Sequence, residues 1–113
     1  MHELSICQSL LRQLEEIAST HNARKVIRVC LRIGPLSGIE PQLLAQAFPL
    51  VSAGTFAEGA MLQIDIAPVR VKCNQCSLES DATLSNLQCN YCRHWQTQLI
   101  SGDELLLSQV ELQ

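Results

Sequence analysis

Cys73-Asn74-Gln75-Cys76 and, after twelve intervening residues, Cys89-Asn90-Tyr91-Cys92 decide how this chain is built. Two residues between paired cysteines make a tight turn from which both thiols point inward, and the turn's backbone N–H groups can hydrogen-bond the sulfurs. Two such turns supply the four soft ligands of a tetrahedral zinc site, with Zn–S distances near ~2.3 Å. The twelve-residue gap is slightly shorter than the commonest zinc-ribbon spacing. Residues 73–92 hold little else that is apolar, so this module cannot fold by burial alone and is expected to draw its stability from the metal. Four protein ligands close the coordination sphere, which makes the ion structural. Lys72 and Arg93 flank the pairs and are expected to soften the negative charge of the cluster.

Six cysteines in 113 residues also permit a secreted disulfide scaffold, and a single Cys-x-x-Cys permits a dithiol redox protein. Cys7 and Cys30, however, fall inside apolar periodic segments, where a small buried residue is the expected reading. Metal-paired thiolates in a reducing cytoplasm account for the remaining four better than disulfides do.

Upstream of the cysteine module the chain alternates helix and strand. Residues 4–21 read as an amphipathic helix: Cys7, Leu10, Leu11, Leu14, Ile17 and Ala18 recur at three- and four-residue steps, with Arg12, Glu15 and Glu16 opposite. His21-Asn22 supplies the stop. Residues 25–33 switch to period two, with Ile27, Val29, Leu31 and Ile33 on one face and Arg28, Cys30 and Arg32 on the other, predicting a strand with one buried side. Gly34-Pro35 ends it and Gly38 adds a second break.

A second helix is predicted over residues 41–52. Pro41 suits its first turn, and Leu43, Leu44, Ala47, Phe48 and Val51 form its apolar face. Pro49 removes a hydrogen bond and crowds the preceding turn, so the helix either kinks there or ends near Phe48. Glu40 is placed to serve its positive end. After Gly54 and Gly59, residues 61–66 alternate as a strand with Leu62, Ile64 and Ile66 on one face, and residues 69–72 run extended into the first cysteine pair. Beyond the module, residues 97–100 read as a short strand, Gly102-Asp103 as a turn, and residues 104–112 as a closing strand. Trp95 is expected to cover the module or its junction.

This order predicts an α+β fold: a small α/β domain of two helices on a three-stranded sheet, with a zinc-ribbon-like four-cysteine domain inserted before the last strand. The expected division is 1–68 plus 104–113 against 69–103.

Apolar residues make up 47% of the chain and charged residues 17%, which calls for a folded core. A net charge of −3, scattered Lys and Arg, and four aromatics argue against nucleic-acid binding. No apolar run approaches the ~20 residues that span a bilayer, and Met1-His2-Glu3-Leu4 lacks the signal-peptide pattern. A cytoplasmic location follows, with a monomer or weak homodimer expected. No constellation of nucleophile and base or of paired carboxylates stands out, so an enzyme is not expected.

His2 beside a terminal amine offers a second kind of metal site. The Met1 amine, the His2 amide nitrogen and the His2 imidazole can close fused chelate rings, and the Glu3 amide can complete a square plane. Such nitrogen-rich planes favour Ni(II) or Cu(II) over zinc. His2 as an ordinary mobile polar residue is the plainer alternative.

Met1-His2-Glu3-Leu4-Ser5, Arg32-Ile33-Gly34 with Leu36-Ser37-Gly38, Gly59-Ala60, the four cysteines and Gly102-Asp103-Glu104-Leu105 together resemble, in order and over essentially the whole chain, the HypA/HybF family of nickel-insertion proteins for [NiFe] hydrogenase maturation. The resemblance implies a metallochaperone that binds Ni(II) through His2 and the backbone nitrogens around it, with Glu3 required nearby. It also implies a HypB-type GTPase as partner and the [NiFe] hydrogenase large subunit precursor as recipient. The implied fold is a nickel-binding α/β domain with a zinc domain inserted before the last strand. Pro49 departs from the family, which usually has an acidic residue after the Phe. Of the remaining histidines, His21 and His94 are read as surface residues, with His94 the better candidate for perturbing the zinc site. The rival function is a zinc-ribbon module that contacts a protein or nucleic acid and has no nickel role.

Overall fold

The computed structural model describes residues 2–113, with side chains from Glu3 onward. In chain order the elements are α1 (His2–Thr20), β1 (Val26–Ile33), a single 3-10 turn (Pro35–Ser37), α2 (Pro41–Ser52), β2 (Met61–Ile66), β3 (Arg70–Cys73), β4 (Glu79–Asp81), β5 (Thr97–Ser101) and β6 (Leu105–Leu112). They form two three-stranded sheets, β2-β1-β6 and β4-β3-β5. The chain divides into two compact units: Met1–Leu31 with Ile39–Asp65 and Leu107–Gln113, and Arg32–Gly38 with Ile66–Leu106.

In the first unit α1 forms because its apolar residues make one stripe. Cys7, Leu10, Leu14 and Ala18 are buried, and Leu11 and Ile17 are half-buried at its edges. The helix stops where Asn22 adopts the left-handed region at φ 54°. Ala23 N–H then donates to Ala18 O at 2.8 Å and Asn22 N–H to Ser19 O at 3.2 Å. This double closure satisfies carbonyls that a helix end otherwise leaves open, and Asn tolerates the torsion better than most residues.

β1 is the middle strand of its sheet. Arg24 and Lys25 N–H, just ahead of it, donate to Gln113 O beyond the end of β6, so these two strands run antiparallel. Val26 N–H donates to Phe56 O ahead of β2, and Ala67 N–H, past the end of β2, to Ile33 O at the end of β1, so these two run parallel. A parallel neighbour requires a crossover, which α2 provides.

The expected single buried side of β1 is only partly met. Val29, Leu31 and Ile33 are buried, but Ile27 is 41% exposed, and Val26 and Cys30 of the opposite face are buried. A central strand has neighbours on both edges, and Arg28 on that opposite face reaches Gln63 of β2 and Glu111 of β6. The guanidinium is thereby held across all three strands.

α2 runs through Pro49 to Ser52 and does not end at Phe48. Leu44, Phe48 and Ser52, four residues apart, are all buried, so burial on both sides of the proline holds the last turn despite the lost hydrogen bond. Leu43, expected in the core, is exposed. Glu40 occupies the N-cap position without a side-chain cap hydrogen bond.

In the second unit β3 pairs antiparallel with both neighbours, Val71 lying opposite Ser80 of β4 and Leu99 of β5. The sequence carries no signal for β4, because Glu79-Ser80-Asp81 has no apolar alternation; the strand is defined by pairing with β3. The residues at Gly34 and Gly102 also meet in this unit. Gly34 N–H donates to Glu104 O at 2.8 Å and Leu36 N–H to Gly102 O at 2.6 Å. The Glu104 carboxylate accepts Gly102 N–H at 2.6 Å and lies 3.8 Å from Arg32.

Those contacts hold the Glu104 carboxyl below its usual value, chiefly through its own backbone N–H and that of Gly102, with Arg32 adding a smaller attraction. A depressed carboxylate contributes stability above the unfolded value of about 4.3, and that contribution is lost as pH falls through the lower folded value. Glu104→Gln is therefore expected to destabilise the protein at neutral pH and to narrow the gap to wild type below about pH 4. Denaturant unfolding of both proteins across that range checks it; a constant gap would contradict the account.

Candidate metal centre

The four cysteines of the two turns converge. All four sulfurs lie within 4.8 Å of one another, the one such cluster among the described residues. Cys73 Sγ is 3.4 Å from Cys92 Sγ, and Cys76 Sγ is 3.7 Å from Cys89 Sγ. A tetrahedral zinc with Zn–S near 2.3 Å places its sulfurs about 3.8 Å apart, so the cluster is compatible with a zinc ion. These separations far exceed the ~2.05 Å of a disulfide, and none of the six cysteines is disulfide-bonded. The close approaches run between the two turns, as a shared ion requires.

Each turn is built the same way. Cys73 N–H donates to Leu78 O and Ser77 N–H to Cys73 O in the first; Cys89 N–H donates to His94 O and Arg93 N–H to Cys89 O in the second. The residue after each closing cysteine is left-handed, Ser77 at φ 64° and Arg93 at φ 67°. The leading sulfur of each turn then accepts two N–H groups: Cys73 from Gln75 and Cys76 at 3.3 and 3.4 Å, Cys89 from Tyr91 and Cys92 at 3.3 and 3.5 Å.

These donors split the thiols into two kinds. The Cys76 N–H, followed by that of Gln75, lowers Cys73, and the Cys92 N–H, aided by that of Tyr91, brings Cys89 down to about 6. Leu78 and His94 N–H groups act in the same direction on Cys76 and Cys92. Burial and the adjoining sulfurs outweigh them, raising Cys76 and pushing Cys92 up to about 12. Four thiolates this close need a cation to ionise together, which is what a divalent metal supplies.

Outside the cluster, Cys7 and Cys30 are buried, as expected of small core residues. The Cys7 thiol lies 3.9 Å from Leu44 O, and burial, with Glu3 adding to it, pushes its pKa up. The His94 ring meets Gln96 at 3.4 Å, and His21 Nδ1 meets its own helix at Ile17 O. Trp95 does not cover the module: it is 69% exposed. Of the residues expected to hold nickel, Met1 and the His2 side chain lie outside what the structure describes. Glu3 is half-buried in the first turn of α1, on a cavity of about 220 Å³ between α1 and α2 that Leu4, Leu43, Gln46, Ala47 and Leu50 also line.

Fold and site together define a small α+β protein with a four-thiol, zinc-compatible centre. The model of a family described as "Hydrogenase/urease nickel incorporation, metallochaperone, hypA" matches residues 1–112. Hydrogenase maturation factor HypA of Nitrosospira multiformis is 50% identical over 99% of this chain and 97% of its own length, and that of Aquifex aeolicus 43% over 100% and 98%. Among solved structures, a solution structure of HypA protein superposes with TM-score 0.77 at 29% identity, covering 100% of this chain and 97% of the other. The Ni metallochaperone HypA from Helicobacter pylori superposes at 0.72 and 28%, covering 97% and 96%.

The chain belongs to the HypA family of nickel metallochaperones, which serve nickel incorporation into hydrogenase and urease. No helix among the described residues is long and apolar enough to cross a membrane.

Proposed function

We propose that this protein carries Ni(II) at its N-terminus and passes it to the [NiFe] hydrogenase large subunit precursor, acting with a HypB-type GTPase in the cytoplasm. The ligands are the Met1 amine, the His2 amide and imidazole nitrogens and the Glu3 amide. Cys73, Cys76, Cys89 and Cys92 hold a structural zinc ion. Residues 1–68 plus 104–113 are the nickel-binding part and 69–103 the zinc-binding part. The protein is a carrier, not a catalyst. Hydrogenase is placed ahead of urease because the relatives named above are hydrogenase maturation factors.

Family membership carries this reading, and one feature of α1 supports it. The helix begins at His2, and the first N–H groups of a helix have no intrahelical partner. The His2 and Glu3 amides can therefore be deprotonated for a metal without breaking the helix. Two ionised amides cancel the charge of Ni(II), so the positive end of the helix does not oppose the complex. A terminal site of few ligands is also one from which an ion can be taken, unlike the four-sulfur cage.

His2→Ala in untagged protein is expected to abolish stoichiometric Ni(II) uptake while leaving one zinc per chain. Metal analysis after dialysis against nickel measures both. Unchanged nickel stoichiometry in the variant would overturn the terminal site, and loss of zinc alone would point to the wrong pairing of metals and ligands.

A further inference from the structure

We propose that Ser80 and Asn90 are positioning residues for the metal centre, clamping the second cysteine turn at the distance from the first that lets four sulfurs share one ion. The inference rests on the reading of the four cysteines as zinc ligands.

The two turns repeat at an offset of sixteen residues: Cys73 and Cys89, Cys76 and Cys92, Ser77 and Arg93 are equivalent. Their internal hydrogen bonds repeat with them. So does a pair of crossing bonds. Asn74 N–H in the first turn donates to Gln96 O at 3.0 Å, and its equivalent, Asn90 N–H in the second, donates to Ser80 Oγ at 3.3 Å. Gln96 and Ser80 are themselves sixteen residues apart. These two bonds differ in their acceptor: the first uses a backbone carbonyl that any residue provides, whereas the second needs a hydroxyl.

That hydroxyl sits in a demanding place. Ser80 is 4% exposed, one of two buried polar residues among those described. A buried polar group without a partner is costly, so its hydrogen bond to Asn90 matters to the fold around it. Asn90 adds a second link, its Nδ2 donating to Asp81 O at 2.8 Å.

The two cysteine pairs are supported unequally. Cys73 ends β3, whose register is fixed on both sides by β4 and β5. Residues 82–96 contain no named strand, only an isolated bridge between Thr83 and Asn86. Gln88 Nε2 to Arg93 O at 2.7 Å closes the second turn on itself, and Thr97 Oγ1 to Leu87 O at 2.7 Å ties its approach to β5. Ser80 and Asn90 tie it to β4, directly beside the strand that carries the first pair. Groups that orient metal ligands in this way commonly contribute about 10–100-fold in metal affinity.

The test is zinc competition against a chromophoric chelator on the full chain, read beside the visible spectrum of the cobalt-substituted protein. Ser80→Ala should weaken zinc binding about 10–100-fold and alter the tetrahedral cobalt–thiolate bands. Ser80→Thr, which keeps the hydroxyl, should restore both. Gln96→Ala, which keeps the carbonyl, should leave affinity unchanged. If Ser80→Ala does not fold at saturating zinc, Asn90→Ala provides the reading: a loss of about tenfold supports the clamp, and none overturns it. Wild-type affinity and spectrum in Ser80→Ala, or failure of Ser80→Thr to restore them, also overturns it. Wild-type protein that holds no zinc would instead remove the four-cysteine reading itself.

Discussion

With zinc on the four cysteines, as proposed, removing the metal with a strong chelator or replacing Cys89 by Ser is expected to unfold the unit formed by Arg32–Gly38 and Ile66–Leu106 while the other unit keeps its structure. The reason is where apolar burial lies. Around the cysteines the large apolar side chains Leu78, Leu84, Tyr91 and Trp95 are exposed, and what is buried beside Val69 and Val71 includes Cys73 and Cys89 themselves. Structural zinc contributes roughly 10–16 kcal/mol in small peptides that fold around it, more than a core this size supplies. The first unit has its own core in Cys7, Leu10, Leu14, Val26, Val29, Leu44 and Phe48.

The cysteines should also rank. Cys89 is buried and accepts two N–H groups, whereas Cys92 is exposed, so Cys89→Ser should lower zinc affinity more than Cys92→Ser. Hydrogen exchange resolved along the chain reads the outcome. Amides of β3 and β5 should lose protection without metal, and those of α1 and the first part of β1 should not. Protection of Val71 and Leu99 that survives chelation would show that the module folds by burial after all.

The parts of this protein that announce themselves in sequence are those specified by local pattern. The stripe Cys7, Leu10, Leu14, Ala18 gives α1 because helical periodicity is a property of the segment alone, and Asn22 marks its end for the same reason. The four cysteines give the zinc-compatible cluster because zinc chemistry calls for both their residue type and their spacing. What stayed hidden is specified by neighbours distant in sequence. Ile27 alternates with the buried residues of β1 yet faces outward. Pro49 reads as either a kink or a helix end, and only the burial of Phe48 and Ser52 on either side of it shows that the helix continues. β4 has no apolar signal, and its Ser80 gains a role only when Asn90 arrives beside it. Trp95 reads as a cover for the module because it is large and apolar, but the sulfur cluster forms without it.

Gly34 belongs with the hidden residues, and Gly34→Ala should be among the most damaging single-methyl additions available in this chain. Its backbone is ordinary, at φ −86° and ψ 144°, so no torsion calls for glycine. Space does. A Cβ there would stand 2.1 Å from the carbonyl carbon and oxygen of Gly102 and 2.6 Å from Asp103 N, all backbone atoms that cannot swing aside. Making room would break the bonds from Gly34 N–H to Glu104 O and from Leu36 N–H to Gly102 O. Overpacking against rigid atoms costs about 3 kcal/mol or more at its upper end, which lowers the melting temperature by roughly 10 °C in a chain of this size. Gly38 is the matched control, because its requirement is the reverse: φ is +78° and nothing lies within 4 Å of an added Cβ. Gly38→Ala should therefore lose only the torsional preference, about 1 kcal/mol. Thermal unfolding of both variants, followed by circular dichroism with zinc saturating, separates close packing from torsion. Equal losses in the two would mean that the backbone at Gly102 yields, and that the meeting of residues 34 and 102 is softer than their separation implies.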